Sequence, residues 1–292
     1  NPEASGLMDS WRLIEDPPGA GAFNMAADNI LFERHCPGEP PVLRLYAWNP
    51  PALSLGRNEK IDEKINLEFC RNKGIHVIRR MTGGKAVLHG LDLTYSVVGD
   101  LNDPQFGGGV LETYRFLAQG FFDFFRRLDL EPCLVKTSSP VKKEPHLCFS
   151  ENSAWEILVR GRKLIGSAQR IRGSASRGRF FLQHGSIPLA DPVPSMLSIF
   201  NHASEPRLRR SMISLEDLGV YPLKEVTELV SLLKESLAET FRICWDHQTW
   251  KISEEEKIRN DLSRYRNHVE LKDDASREQV SRMGSSKMTE EA

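Results

Sequence analysis

The chain has 292 residues, 40% hydrophobic and 27% charged, the balance of an ordinary soluble globular protein and long enough to bury a core without staples. Its 39 basic against 40 acidic side chains leave a net charge of -1, which speaks against nucleic-acid or membrane binding and leaves any charged partner to a local patch. No stretch approaches the ~20 apolar residues that span a bilayer, Asn1 to Ser10 holds no signal-peptide core, and the five cysteines form no C-x-x-C pair, so a cytoplasmic location is expected.

In chain order, Phe23, Ala26, Ala27, Ile30 and Leu31 follow helical spacing, with Asn24 as candidate N-cap. Pro41 to Tyr46 and Ala52 to Leu55 read as short strands around the turn Trp48-Asn49-Pro50-Pro51. A helix is expected from Ile61 to Asn72, stopped at Gly74. His76 to Arg79 and Leu93 to Val98 read as strands flanking a glycine turn at Gly83-Gly84, and Leu111 to Leu128 as a helix. Residues 131 to 152 have no periodicity and hold three prolines, a long loop of the kind that is often functional. Trp155 to Val159 and Leu164 to Ala168 bracket Arg160-Gly161-Arg162 as a hairpin, with Gly161 and Arg162 as its expected turn and Lys163 beside Arg160. Phe180 to Leu189 is another strand, Leu223 to Phe241 a helix with one apolar face, and 253 to 265 a weaker charged helix. From Asp273 the chain is polar and disorder is expected. Strand runs mixed with separate helices indicate an α+β fold.

Three segments carry chemistry. Arg79-Arg80-Met81-Thr82-Gly83-Gly84 follows a strand and can turn backbone N–H groups toward an anion or a carbonyl oxygen, though two glycines in a turn also have a purely conformational explanation. In Lys163-Leu164-Ile165-Gly166-Ser167-Ala168 the small residues let a ligand approach the strand backbone, while a lysine after a turn is most often a solvated charge. Gln183-His184-Gly185-Ser186 puts a histidine in a strand, where it is more often structural than catalytic.

Taken together and in this order, these segments resemble the signature of the biotin/lipoate protein ligase superfamily, whose catalytic domain has mixed and antiparallel sheets packed with helices. The stretch from Gly161 to Leu189 is similar to LipM-type octanoyltransferases, as are Ala22 to Asp28 and Leu43 to Pro50 upstream. The likeness implies one catalytic domain over 11–265, with 1–10 and 273–292 as flexible termini. Met81 stands where the family commonly has proline, and Gly90 where an aspartate usually follows His89, which leaves the role of His89 open.

Cys148, within Leu147-Cys148-Phe149-Ser150, is similar to the cysteine that accepts the acyl group in LipM-type enzymes, whereas Cys36, Cys70, Cys133 and Cys244 read as small buried hydrophobes. The resemblance implies that Cys148 takes octanoate from octanoyl-acyl carrier protein and passes it to a lysine of a lipoyl-carrier domain such as the glycine-cleavage H protein, with no cofactor or metal. Lys163 is the candidate cation that raises the thiolate fraction, with His146 as a competing base. The likeness puts Arg79, Thr82, Gly83, Gly84, His89, Gly166, Ser167, Ala168 and His184 around the substrate cavity. Arg170, Arg172, Arg177 and Arg179 in one loop, and Arg207, Arg209 and Arg210 in another, are candidate docking charges for an acidic carrier. Three rivals remain: an ATP-dependent lipoate–protein ligase, an octanoyl amidotransferase between lipoyl domains, and a non-catalytic binder.

Overall fold

The computed structural model describes residues 8–135, 155–174 and 178–269. The chain opens with strand β1 (Asp9–Glu15) and helix α1 (Gly21–Arg34), then β2 (Val42–Tyr46), β3 (Ala52–Leu55), α2 (Leu67–Asn72), β4 (His76–Arg79), β5 (Val87–His89) and the long β6 (Asp92–Asp100). Helix α3 (Val110–Arg127) follows, then β7 (Pro132–Leu134), β8 (Ile157–Val159), β9 (Arg162–Lys163), β10 (Gly166–Ser174) and β11 (Gly178–Pro188). The chain continues through α4 (Val193–Ile199), α5 (Glu205–Ser211), α6 (Val226–Phe241), β12 (Ile243–His247) and α7 (Ile252–Asp261).

A six-stranded mixed sheet, in the order β10-β11-β6-β2-β1-β12, forms the centre. The β10, β11, β6 and β2 neighbours run antiparallel; β2, β1 and β12 run parallel. Strand alternation sorts its side chains into two layers. Trp11, Leu13, Leu43, Leu45, Tyr95, Val97 and Phe181 face α3 and α6, where they pack with Leu117, Phe121, Phe124, Phe125, Leu233 and Leu237. Their sequence neighbours, Arg44, Thr94, Ser96 and His184, point to the opposite face, which α1 covers. Two three-stranded sheets, β4-β3-β5 and β7-β8-β9, complete the α+β architecture.

Several expectations change. Asn24 lies inside α1, and Ala20 precedes the helix as its N-cap; Asn24 is buried and donates to the carbonyls of Gly19 and Ala47. The helix expected from Ile61 begins only at Leu67, because the Asn66 side chain accepts from Phe69 N at 2.9 Å and caps it there. The expected loop starts with a strand, β7, that pairs with β8; residues 136–154, with Cys148 and His146, lie outside the described residues. The hairpin turn is Arg160-Gly161, both with positive φ (51° and 72°), as two-residue turns of the type favoured by strand twist require. Lys163 therefore pairs with Leu158 and not near Arg160. The last long helix starts at Val226, after an extended Glu225. Strands β1 and β12 and helices α4 and α5 had no reading in the sequence.

Candidate active site

On the α1 face of the sheet lies a small cavity of about 30 Å³, framed by Met25 and Trp48 on one side and by Gly166, Ala168 and Gly185 on the other. Two buried carboxylates organise its polar wall. Asp28 accepts from Arg44 Nη1 (2.8 Å), Tyr46 OH (2.9 Å), Ser96 Oγ (2.8 Å) and His184 Nδ1 (3.1 Å). A carboxylate can only accept, so His184 presents its other nitrogen, Nε2, to the Thr82 hydroxyl at 2.6 Å. Asp92 does the same for His89: it accepts from Nδ1 at 2.7 Å, and Nε2 takes the Ser54 hydroxyl at 2.8 Å. Asp92 also accepts from Thr94, Ser186 and the Gly90 amide. His89 stacks on Trp48 with ring centroids 4.1 Å apart.

Burial alone would raise the carboxyl of Asp28, yet the His184 hydrogen bond and the Arg44 guanidinium together hold it below its ordinary value. Asp92 is likewise lowered: burial opposes this, and His89 with the other donors outweighs it. His184 is pushed down by burial, against the pull of Asp28, and is neutral at physiological pH. Tyr46 is raised well above the usual phenol, first by burial and then by the neighbouring Asp28. Behind the lining residues thus stand two ionised carboxylates whose oxygens are saturated, so the polar groups satisfy one another and leave the open space mainly to apolar surface.

Of the residues expected around the substrate, His89, Gly166, Ser167, Ala168 and His184 come together on this cavity. Thr82 stands behind His184. Gly83 and Gly84 form the adjoining turn, which backs onto Gly56 so tightly that a Cβ there would fall 1.9 Å from the Gly84 carbonyl oxygen. Arg79 turns away and donates to the carbonyls of Gly56 and Glu59. Its neighbour Arg80 lines the cavity instead, donating to Ser54 O, Gly83 O and Lys85 O and so pinning the turn. The carboxylate missing at Gly90 is supplied two residues later by Asp92, which restores an orienting partner to His89.

Lys163 is 2% exposed, with Nζ 2.5 Å from Glu156 Oε1. It stands three residues before Gly166 in the cavity wall. A second small cavity, also of about 30 Å³, lies on the α3 face under Trp155, Glu156 and Tyr114, and shares Ser167 with the first.

Asp28, Arg44, Tyr46, Trp48, Ser54, Arg80 and Asp92 belong to this arrangement and were not singled out in the sequence. A signal existed for some: Asn24 and Asp28 are polar at i, i+4 and share one face of the helix, and Arg44 and Tyr46 alternate with Leu43 and Leu45. Among the other cysteines only Cys70 is a buried hydrophobe, its thiol pushed up by burial to about 11. Cys36, Cys133 and Cys244 are exposed: Cys36 lies just past the end of α1, and Cys133 and Cys244 lie on the edge strands β7 and β12. The basic clusters are not two loops. Arg170, Arg172 and Arg179 sit on β10 and β11, Arg177 lies outside the described residues, and Arg172 is drawn inward to Phe32 O and His35 O. Arg207, Arg209 and Arg210 ride on α5, where Arg209 pairs with Glu205 and Asp191.

The sequence profile of the lipoyl protein ligase A/B catalytic domain matches residues 20–242, and the chain belongs to that family. In fold it is similar to a lipoate-protein ligase A bound with ATP, at a TM-score of 0.71 and 22% identity over 88% of this chain and 95% of that one. It is 36% identical over 242 residues to octanoyltransferase LipM of Halalkalibacterium halodurans, covering 80% of this chain and 85% of that protein. The LipM of Kyrpidia tusciae is 35% identical over 247 residues, covering 80% and 86%. Within the family the chain thus falls with the LipM-type octanoyltransferases, and it is an acyltransferase.

Proposed function

We propose that this octanoyltransferase of lipoate biosynthesis takes octanoate from octanoyl-acyl carrier protein, holds it on Cys148 as a thioester, and delivers it to a lysine of a lipoyl-carrier domain, the glycine-cleavage H protein being the expected acceptor. The Cys148 thiolate attacks the donor thioester; the new carbon–sulfur bond forms as the bond to the carrier's sulfur breaks, and the carrier leaves as a thiol after taking a proton. The acceptor amine then attacks the acyl-enzyme, forms the amide and releases Cys148. Thioester to amide is downhill, so this route needs no nucleotide.

The observation that supports this reading most is the burial of Lys163. A lysine two residues past a hairpin turn is ordinarily solvated, yet this one is 2% exposed and paired with Glu156. Burying an ammonium is costly even when it is paired. A function for that charge explains the arrangement: a cation near a thiol of pKa ~8.5 raises the small thiolate fraction present at neutral pH. The mainly apolar lining beyond Gly166 would face the eight-carbon chain. The turn at Thr82-Gly83-Gly84, fixed by Arg80 and His184, would stand at its carbonyl end, where backbone N–H groups can stabilise an oxyanion.

Intact-mass measurement after mixing the protein with octanoyl-carrier protein, without ATP, tests this. One hydroxylamine-labile octanoyl adduct is expected, absent in Cys148→Ser. Product formed only from free octanoate and ATP would replace the reading with a ligase.

A further inference from the structure

The turn after β4 is exposed at Gly83 and Gly84, while Arg80, Met81 and Thr82 before them are buried. Its carbonyls are held by the protein. Thr82 O accepts from Arg57 N at 2.8 Å, and Gly83 O accepts from Arg80 Nη2 at 2.8 Å. Both peptides are trans, so the N–H of each plane points opposite to its carbonyl. The amides of Gly83 and Gly84 are therefore turned away from Arg57 and Arg80, and neither has a hydrogen-bond partner among the described residues. Two adjacent outward amides can donate to an anion or a carbonyl oxygen.

Behind Arg80 runs a chain of buried groups. The Asp92 carboxylate accepts from His89 Nδ1 at 2.7 Å, so the other ring nitrogen, Nε2, accepts from the Ser54 hydroxyl at 2.8 Å. Ser54 Oγ, having donated to His89, accepts from Arg80 Nη1 at 3.3 Å, and the Ser54 carbonyl accepts from the same nitrogen at 2.8 Å. Arg80 Nη2 then holds Lys85 O at 2.7 Å as well as Gly83 O. Asp, His and Ser in that order also make a nucleophilic triad. Here Ser54 is 1% exposed and its oxygen is already taken by Arg80, so the chain serves orientation and not attack.

We propose that Ser54, with His89 and Asp92 behind it, is a positioning residue for acyl transfer: the chain fixes Arg80, and Arg80 fixes the peptide whose amide, with its neighbour, receives the oxyanion. This rests on the reading above that the turn stands at the carbonyl end of the site. When a nucleophile adds to the thioester carbonyl, the π electron pair moves onto oxygen. The oxyanion accepts from the aimed amides, and the pair returns as the bond to the leaving sulfur breaks. No proton passes along the chain: His89 keeps its proton on Nδ1 and accepts at Nε2 throughout. A peptide that is less well held meets the oxyanion at a poorer angle, which slows the chemical step and leaves carrier binding alone.

Release of the carrier thiol from octanoyl-carrier protein, with a lipoyl-carrier domain as acceptor, reads this as a split between kcat and KM. Ser54→Ala and His89→Ala are each expected to lower kcat about tenfold, short of the roughly 100-fold that an ångström of misplacement costs, with KM for octanoyl-carrier protein within about threefold. The double variant is expected to be no slower than either single one, because both cut the same chain. His89→Gln, whose amide oxygen can accept from Ser54 in place of Nε2, is expected to recover most of the loss of His89→Ala. A risen KM with unchanged kcat, or losses that multiply in the double variant, overturns the proposal. So does a His89→Gln as slow as His89→Ala, which would make His89 a proton carrier. Should His89→Ala not fold, Ser54→Ala, which loses a single oxygen, decides alone, and an unchanged kcat in it overturns the proposal. Gly83→Pro deletes one of the two amides and tests the reading beneath: wild-type kcat there removes the turn from the oxyanion. A slow Gly83→Pro beside an unimpaired Ser54→Ala sinks only the positioning chain.

Discussion

The two faces of the central sheet are made by alternate residues of the same strands, yet they are held together by different physics. Toward α3 and α6, Leu43, Leu45, Tyr95, Val97 and Phe181 meet a layer of phenylalanines and leucines. Toward α1, the interleaved Arg44, Ser96 and His184 converge on one carboxylate, Asp28. The first face is stabilised by volume filled and area removed from water, so it tolerates swaps that conserve both. The second depends on every donor having its acceptor, so it tolerates little. Catalytic domains need a rigid wall for a ligand, and a saturated network supplies one while keeping both carboxylates out of the cavity lining.

That contrast can be broken experimentally. Asp28→Ala leaves the fully buried Arg44 with Asp16 as its remaining carboxylate, and it strands Tyr46, Ser96 and His184. Removing one partner of a buried ion pair predicts a loss of about 3–5 kcal/mol in urea unfolding. A loss under about 1 kcal/mol would show that the network is not what holds this face. On the other face, Leu43→Ala is expected to cost about 3 kcal/mol through the cavity it leaves. Leu43→Met, close in volume, should cost less than about 1.5 kcal/mol, and equal costs for the two would refute a volume-based account. Ser96→Ala removes a single donor to Asp28 and is expected to cost about 1 kcal/mol by the same unfolding measurement.

Acidification is the gentlest probe, and of the two faces it acts on the polar one. His184 is depressed by burial, so the unfolded chain takes up a proton on it before the folded one does, and stability falls as pH drops below the ordinary value of 6.5. Asp28 and Asp92 are also depressed, so their contribution is complete above the ordinary value of 3.8 and is lost as pH falls through their lower folded values. Between about pH 7 and about pH 5 the wild type should therefore lose more unfolding free energy than His184→Gln, which has no such proton to bind. Identical slopes would remove His184 from the account.

The apolar face was legible in the sequence because its signal is periodic. The helices ending near Leu128 and Phe241 and the strands around Leu45, Val97 and Phe181 all show it. The polar face was legible only in fragments. Its motif residues His89 and His184 stood out, but Asp28, Arg44 and Ser54 come from three separate elements, and nothing in local spacing says that they meet. Arg80 was overlooked beside Arg79 because adjacent strand-end residues point oppositely, and which one faces inward depends on the register of β4 against β3. Strand β12 escaped notice for the same kind of reason: its partner in the sheet is β1, at the other end of the chain.

That last pairing bears on how the chain is made. Strand β12 lies parallel to β1 across a separation of more than two hundred residues, and beyond it Glu254 grips the buried Arg12 of β1 with two hydrogen bonds of 2.7 and 2.8 Å. A ribosome adding roughly 5–20 residues per second takes on the order of ten seconds or longer to supply that cover. Throughout that interval the nascent polypeptide carries a bare strand margin, open to pairing with a neighbouring copy. Translation that stalls before Ile243 would leave a polypeptide prone to clumping, even with its catalytic motifs already made.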